Sequence, residues 1–314
     1  MTRILITGGA GFIGSNLARL ALGRPEVTGV VVLDDLSTGD RGNLEGLDVE
    51  FHEGSVTDPA AVERALAGVD AVAHLAAMAS VPQSIDDPMR CHEVNATGTL
   101  NVLEACRRAG VTQVVAASSS AVYGANPAPV KSERDWVRPL SPYAVSKLAT
   151  EQYLLAYQTC YDMSTMAFRF FNVYGPGQPA GHVYAAVIPI FTDALLAGRP
   201  LPVNGDGTQT RDFIYVGTVS RILLDAMLRR MSHEEPVNVA LGTETTLLEL
   251  VTALEEAAGD RAAVEFRPSR AGEIAQSRAD DRVLRSLFPD LDAVPLETGL
   301  RETVAWFRSR TAAA

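Results

Sequence analysis

Two side chains near the middle of the chain, Tyr143 and Lys147, are of types that can move a proton together. They lie in Ser141-Pro142-Tyr143-Ala144-Val145-Ser146-Lys147, where a proline near the first helical position marks a helix start. A spacing of four is just over one helical turn, so both project from one face. A free phenol titrates at about 10, too high for a base at neutral pH. A neighbouring ammonium favours the phenolate and lowers that value, so Tyr143 reads as a general base and acid with Lys147 as its activator. The lysine stands out in this chain. Of 27 basic residues only Lys131 and Lys147 are lysine, and the rest are arginine. A position that holds Lys against that preference points to a need for a compact ammonium. A solvated helical pair would show the same spacing, so the surrounding elements must decide.

The first of those elements is a glycine loop. Thr7-Gly8-Gly9-Ala10-Gly11-Phe12-Ile13-Gly14 follows a β-branched apolar run and opens a helical pattern. Glycines spaced Gly8-x-x-Gly11-x-x-Gly14 put bare backbone at a tight turn and at a helix N-terminus. Phosphate can then reach amide N–H groups and the positive end of the helix dipole. Asp34 ends the next strand, twenty residues beyond Gly14. A carboxylate there accepts both hydroxyls of an adenosine ribose and repels a 2′-phosphate. No arginine follows it directly, only Asp35, Leu36 and Ser37, so the expected cofactor is NAD rather than NADP. A positive nicotinamide ring would then lower the Tyr143 phenol further. Asp58 fits two roles: a hydrogen bond to the adenine amine, and an N-cap before Pro59.

These groups need a scaffold. Residues 4–7, 30–33, 49–53, 71–75, 114–119 and 165–170 read as buried strands. Residues 14–22, 60–67, 94–109 and 142–161 read as the helices between them. Strand and helix in alternation mean an α/β fold with a doubly wound parallel Rossmann sheet. Ser118-Ser119-Ser120 falls at the end of one strand, and ligands in such sheets bind at strand carboxyl ends. The second half is less regular, with a breaker cluster at 175–179 and helices expected at 183–197, 218–231, 246–258, 282–287 and 297–308. Residues 211–216 read as a short strand. The expected division is a NAD-binding domain of 1–172 plus roughly 207–240. A smaller α/β substrate-binding domain takes roughly 173–206 plus 241–314.

Composition narrows the partners. The net charge is −11 and the pI about 5.0, against a nucleic-acid binder. Three widely spaced cysteines, Cys91, Cys106 and Cys160, offer no CxxC pair. No structural metal or disulfide framework is expected, and a reducing compartment fits. No apolar run nears the ~20 residues that span a bilayer, and the start lacks signal-peptide character. The expectation is a cytoplasmic protein with no membrane partner.

At this point the sequence resembles the extended short-chain dehydrogenase/reductases. The carriers are TGGAGFIGS at 7–15, DDLSTG at 34–39, HLAA at 74–77, Asn95-x-x-Gly98-Thr99 and SSSAVYG at 118–124. Tyr143-x-x-x-Lys147, RFFNVYG at 169–175 and RDFIYV at 211–216 complete the order. Within that superfamily it is similar to the NAD-dependent UDP-sugar 4-epimerases, over nearly the whole chain. The resemblance implies that Ser119 is a third catalytic group, bonding the sugar O4. It implies NAD contacts from Gly8, Gly11, Phe12, Ile13, Gly14, Asp34, Asp35, Ser37, Thr38, Gly39, Val56 and Asp58. Leu75, Ala76, Ala77, Asn95, Ser118, Tyr143, Lys147 and Phe170 complete that set.

For the substrate, the resemblance implies contacts from Ser80, Ser119, Ser120, Tyr143, Asn172 and Val187. It also implies a diphosphate clamp of Arg211 and Arg270, and Glu273 on the uridine ribose. The 4,6-dehydratases of this group carry Asp-Glu before the VYG tripeptide, and here Ser120-Ala121 stand there, against elimination. Ser277 matches a place where a large tyrosine excludes N-acetylated sugars, so UDP-GlcNAc and UDP-GalNAc are expected beside UDP-Glc and UDP-Gal. The implied reaction is reversible C4 epimerisation through a 4-keto intermediate with transient NAD reduction. Alternatives are a UDP-glucuronate 4-epimerase, which the absence of arginine in 177–181 disfavours, and a nucleotide-sugar oxidoreductase or decarboxylase. The resemblance also implies a homodimer through the helices at 94–109 and 142–161.

Overall fold

The computed structural model describes residues 1–180, 186–269 and 276–313. The chain opens with β1 (Thr2–Thr7), α1 (Phe12–Leu22), β2 (Val27–Asp34), β3 (Glu50–Glu53), α2 (Pro59–Ala65) and β4 (Ala71–His74). Then come α3 (Val81–Asp86), α4 (Pro88–His92), a π-helical turn (Glu93–Thr97), α5 (Gly98–Ala109) and β5 (Gln113–Ser119). β6 (Val130–Lys131), α6 (Pro142–Tyr161) and β7 (Ser164–Phe170) follow. The expected strands and helices of this half all appear, α6 with the expected ends.

Seven strands form one sheet in the order β12-β7-β5-β4-β1-β2-β3, where β12 is Val237–Val239, and every pairing from β3 to β7 is parallel. The chain winds outward from β1 to β3, then restarts on the other side of β1 at β4. The order therefore reverses between β1 and β4, which is where ligands of such sheets sit. Alternation explains the double cover. Leu5, Val31, Val72 and Val114 pack with α2, α5 and α6 residues such as Val62, Val102 and Leu154 in one cluster. Ile4 and Ile6, on the opposite face of β1, are equally buried. Each such side chain contributes about 1.5–3 kcal/mol on burial.

The remaining elements are β8 (Asn172–Tyr174), α7 (Val187–Leu196), β9 (Leu201–Asn204), β10 (Thr210–Arg211), β11 (Phe213–Tyr215) and α8 (Val216–Leu228). After β12 come β13 (Thr245–Thr246), α9 (Leu247–Ala258), β14 (Val264–Arg267), β15 (Gln276–Ala279), α10 (Arg282–Leu287) and α11 (Leu296–Ala313). One compact unit is Met1–Pro127, Glu133–Phe170 and Val219–Asn238. The other is Ala128–Ser132, Phe171–Thr218 and Val239–Ala314. β9, β10 and β11 pair only with strands of the second unit, so the first resumes at Val219. The strand expected at 211–216 is instead two strands broken at Asp212, with Val216 already in α8. Asp212 is fully buried, and its carboxylate accepts from Leu241 N (3.1 Å), Gly242 N (3.0 Å), Ala279 N (3.2 Å) and the Thr243 hydroxyl (3.2 Å). Of the expected helix at 183–197, residues 183–185 lie outside the described residues.

Candidate active site

Helix α6 starts where its first-turn donors find acceptors. Ser141 Oγ accepts from Ala144 N (3.1 Å), and Ser84 Oγ, from α3, accepts from Tyr143 N (3.1 Å). Ser84 is fully buried. Two hydroxyls thus satisfy backbone groups that a helix start leaves unpaired, and they fix the Tyr143 backbone. The residue-type pattern around Tyr143 shows Ser141 as a cap, but Ser84 is found only once α3 is folded against α6.

Ser119 meets Tyr143 from β5. Its Oγ accepts from Ala121 N (3.2 Å), capping a 3-10 turn at Ser120–Tyr123, and its hydroxyl faces the Tyr143 phenol and lowers its pKa. Lys147 is buried, and its Nζ donates to Ala117 O (2.9 Å). The three residues expected to act together are therefore gathered at the end of β5 and the first two turns of α6.

The electrostatics differ from the expectation that Lys147 pulls the phenol down. In the chain alone, burial pushes the Tyr143 phenol above 10. The Ser119 hydroxyl opposes this, and Cys91 adds to it. Lys147 is itself lowered to about 8, by burial first, against the raising effects of Cys91 and Glu151. Burial is the dominant cause in both, and the lysine amine is turned to the Ala117 carbonyl. Behind it, His74 is lowered to about 3 by burial and then by Lys147. The neutral imidazole bridges Thr7 Oγ1 (2.8 Å) and Thr99 Oγ1 (3.1 Å).

The glycine loop has the shape a dinucleotide needs. Gly8 has φ +72°, and a Cβ there would lie 2.7 Å from Ala76 N, so the loops after β1 and β4 touch backbone to backbone. A Cβ on Gly14 would lie 2.3 Å from Gly8 O. Gly11 is the N-cap of α1 and brings no side-chain acceptor, so the first-turn amides around Phe12, Ile13 and Gly14 are left for an anionic ligand. Leu75, Ala76 and Ala77 line the loop after β4, where Ala76 N donates to Thr7 Oγ1 (3.3 Å).

Asp34 is buried at the end of β2. It accepts from Ala10 N (2.9 Å) and Leu36 N (2.9 Å), so it braces the glycine loop and keeps further acceptor capacity. Gly39 packs closely on it: a Cβ there would stand 2.9 Å from Asp34 Oδ1. Asp35 accepts from Ser37 N (3.1 Å) and Ser37 Oγ (2.6 Å), while Ser37 and Thr38 are exposed. These residues fit a ribose and pyrophosphate.

Other expected contacts are engaged within the protein. Asp58 is the N-cap of α2, accepting from Ala60 N (3.0 Å). Val56 is in the core, and its carbonyl accepts from Asn101 Nδ2 (3.0 Å). Asn95 sits in the π-helical turn, where it takes Met78 N (2.8 Å) and gives Nδ2 to Ser146 Oγ (2.9 Å). It ties the loop after β4 to α6. Ser80 caps α3 by accepting from Gln83 N (3.3 Å). The Ser118 hydroxyl is held by Glu151 rather than directed like that of Ser119. Phe170 is buried beside Ser119 in the β5–β7 register.

The second unit holds the remaining expected substrate residues. Asn172 Nδ2 donates to Asp212 O (3.0 Å). Arg211 and Ser277 are paired in register on parallel strands β10 and β15, and Arg211 Nη1 donates to Thr210 O (2.8 Å). Val187 opens α7. Arg270 and Glu273 lie outside the described residues.

Comparison with known proteins gives concordant results. The model of the NAD dependent epimerase/dehydratase family matches residues 4–240. The chain is 40% identical to a UDP-glucose 4-epimerase of Mycolicibacterium smegmatis, over 98% of this chain and 99% of that one. It is similar to the structure of a UDP-N-acetylglucosamine 4-epimerase from Methanobrevibacter ruminantium in complex with UDP-N-acetylmuramic acid. That match has a TM-score of 0.92 and 35% identity, over 98% and 99% of the two chains. The UDP-glucose 4-epimerase of Thermus thermophilus in complex with NAD gives a TM-score of 0.87 and 39% identity, also over 98% and 99%.

Proposed function

This chain belongs to the NAD dependent epimerase/dehydratase family, and on that premise we propose that it interconverts UDP-hexoses by reversible epimerisation at C4. The observation that carries the reading is the gathered set of Ser119, Tyr143 and Lys147. The Asp-Glu pair of the dehydratases is absent from their side, where Ser120 and Ala121 stand. UDP-Glc and UDP-Gal are the basic pair. UDP-GlcNAc and UDP-GalNAc are included because Ser277 is small.

When bound, NAD would supply the two-electron acceptor that takes hydrogen from C4 and gives it back. Everything else falls to the chain. Tyr143 takes the proton from O4 as the 4-keto sugar forms and returns it when the sugar is reduced on its other face. Ser119 links O4 to the phenol and holds the phenol in line. Lys147 places an ammonium one turn along α6, where it would work against the burial that by itself opposes the phenolate. Arg211 and Arg270 hold the diphosphate, so the keto sugar is retained while it turns over. By the same resemblance the protein forms a homodimer through α5 and α6, which light scattering tests.

The test is Tyr143→Phe beside the wild type, assayed with UDP-Gal, UDP-GlcNAc, UDP-GalNAc and UDP-glucuronate by proton NMR of the products. The variant is expected to fold, to bind NAD and to lose turnover by about 10²-fold or more. Near-normal turnover defeats the mechanism. Refusal of both acetylated sugars by the wild type removes the Ser277 argument. Stoichiometric cofactor reduction replaces epimerisation by net oxidation, and loss of CO₂ from the uronate replaces it by decarboxylation.

A further inference from the structure

Helix α6 carries a third polar residue in step with the catalytic pair. Tyr143, Lys147 and Glu151 are four apart and rise along one helix face. All three meet consecutive residues at the end of β5. The Tyr143 phenol faces the Ser119 hydroxyl, the Lys147 amine donates to Ala117 O (2.9 Å), and the Ser118 hydroxyl donates to Glu151 Oε1.

Arg169 of β7 closes this seam. Its Nε donates to Glu151 Oε1 (2.9 Å), its Nη2 to Glu151 Oε2 (2.9 Å) and its Nη1 to Glu133 O (3.2 Å). Its guanidinium lies 4.8 Å from the centre of the Tyr123 ring. Glu151 is 0% exposed and Arg169 4%. Stability alone is a poor reason for such a pair, because matched apolar residues are often as stable as a buried ion pair. Its position one turn beyond Lys147 supplies a reason in function.

We propose that Glu151, held by Arg169, is a positioning residue that seats 117–119 of β5 against α6 and so holds the Lys147 amine on Ala117 O. This rests on the proposed role of Tyr143 and Lys147. The groups that act on Lys147 are Cys91 of α4 and Glu151 of its own helix, the latter paired with Arg169 of β7, and Lys147 in turn lowers His74 of β4. Glu151 is the carboxylate among them. It opposes the burial that lowers Lys147 to about 8. Without its charge the amine loses its proton at lower pH, and the activating cation disappears from the catalytic pair.

Only two lysines exist, so ε-¹³C-lysine NMR gives two signals, and Lys131→Arg assigns them. In Glu151→Gln the Lys147 midpoint is expected to fall by about half a pH unit or more. The alkaline limb of kcat should move down with it, while KM for UDP-Gal stays within about twofold. Ser118→Ala cuts one tie of the seam but leaves the charge, so kcat falls and neither the midpoint nor the limb moves. The double variant Glu151→Gln/Arg169→Gln buries no charge and covers the case in which the single variant does not fold. It is expected to show a smaller shift in the same direction, because the opposing Arg169 charge leaves with the carboxylate. A folded variant of either kind with an unmoved Lys147 midpoint overturns the proposal. Turnover surviving Tyr143→Phe overturns the proposed function instead, and the Lys147 midpoint does not depend on that result.

Discussion

Lys147 is carried by the fold at a cost in stability. Burial lowers its pKa from 10.5 to about 8. Below pH 8 folded and unfolded chains both hold the proton, and the folded chain bears the full desolvation. Between pH 8 and 10.5 the folded chain has released the proton while the unfolded chain keeps it. Above that range both are neutral. Stability relative to Lys147→Met should therefore rise as pH rises through 8 towards 10.5, by on the order of 3 kcal/mol. Urea unfolding of both proteins at pH 7 and pH 10 measures this. Groups that do not face Lys147 cancel between the two proteins, so the difference belongs to Lys147 and to Tyr143 one turn away. A difference that stays flat with pH would show a lysine that titrates as if in water. Tyr143 and Lys147 were legible as a pair from type and spacing. Their charges were not, because burial and the turn of the amine towards Ala117 O depend on strands distant in sequence.

Among the elements, the glycine turn is the part that sequence specifies most fully. Its spacing placed the strand, the turn and the helix start, and the structure adds the reason for each glycine. A Cβ on Gly14 would stand 2.3 Å from Gly8 O and 2.7 Å from Gly9 Cα, backbone atoms that cannot move aside cheaply. Gly14→Ala is therefore expected to lose roughly 1–3 kcal/mol of stability. It should also weaken NAD binding more than tenfold. Calorimetric titration with NAD measures the second effect, and unchanged affinity would mean that the loop is a turn and no more. Other elements were not legible. α3 and α4 have six and five residues, too short to show a helical period, and each begins at a side-chain cap followed by proline nearby. The break at Asp212 is fixed by donors at 241–243 and 279, which no local pattern contains.

For the molecule as a whole, cofactor choice should appear as stability. Asp34 accepts two backbone N–H groups and retains capacity for ribose hydroxyls, whereas a 2′-phosphate would meet a carboxylate. NAD at a hundred times its dissociation constant should stabilise the fold by about 2.7 kcal/mol, and NADP at the same concentration by much less. Thermal unfolding with each cofactor tests this, and an equal rise with both would remove Asp34 as the discriminator. Among the described residues no helix is long and apolar enough to cross a membrane. The sheet itself gains its seventh strand from Val237–Val239, a three-residue run far beyond β7 that carries little periodic signal.

Sequence by itself determined the reacting residue types, the glycine spacing, the acidic end of β2 and the alternation of strand and helix. Those are local properties: backbone room at a turn, one face per helical turn, and apolar runs that must be covered. Tertiary structure decided which of those side chains meet. Ser119 reaches Tyr143 and Ser118 reaches Glu151 only because β5 lies beside β7 under α6. Desolvation and hydrogen bonding then set their protonation, and both depend on neighbours that the chain brings together only when folded.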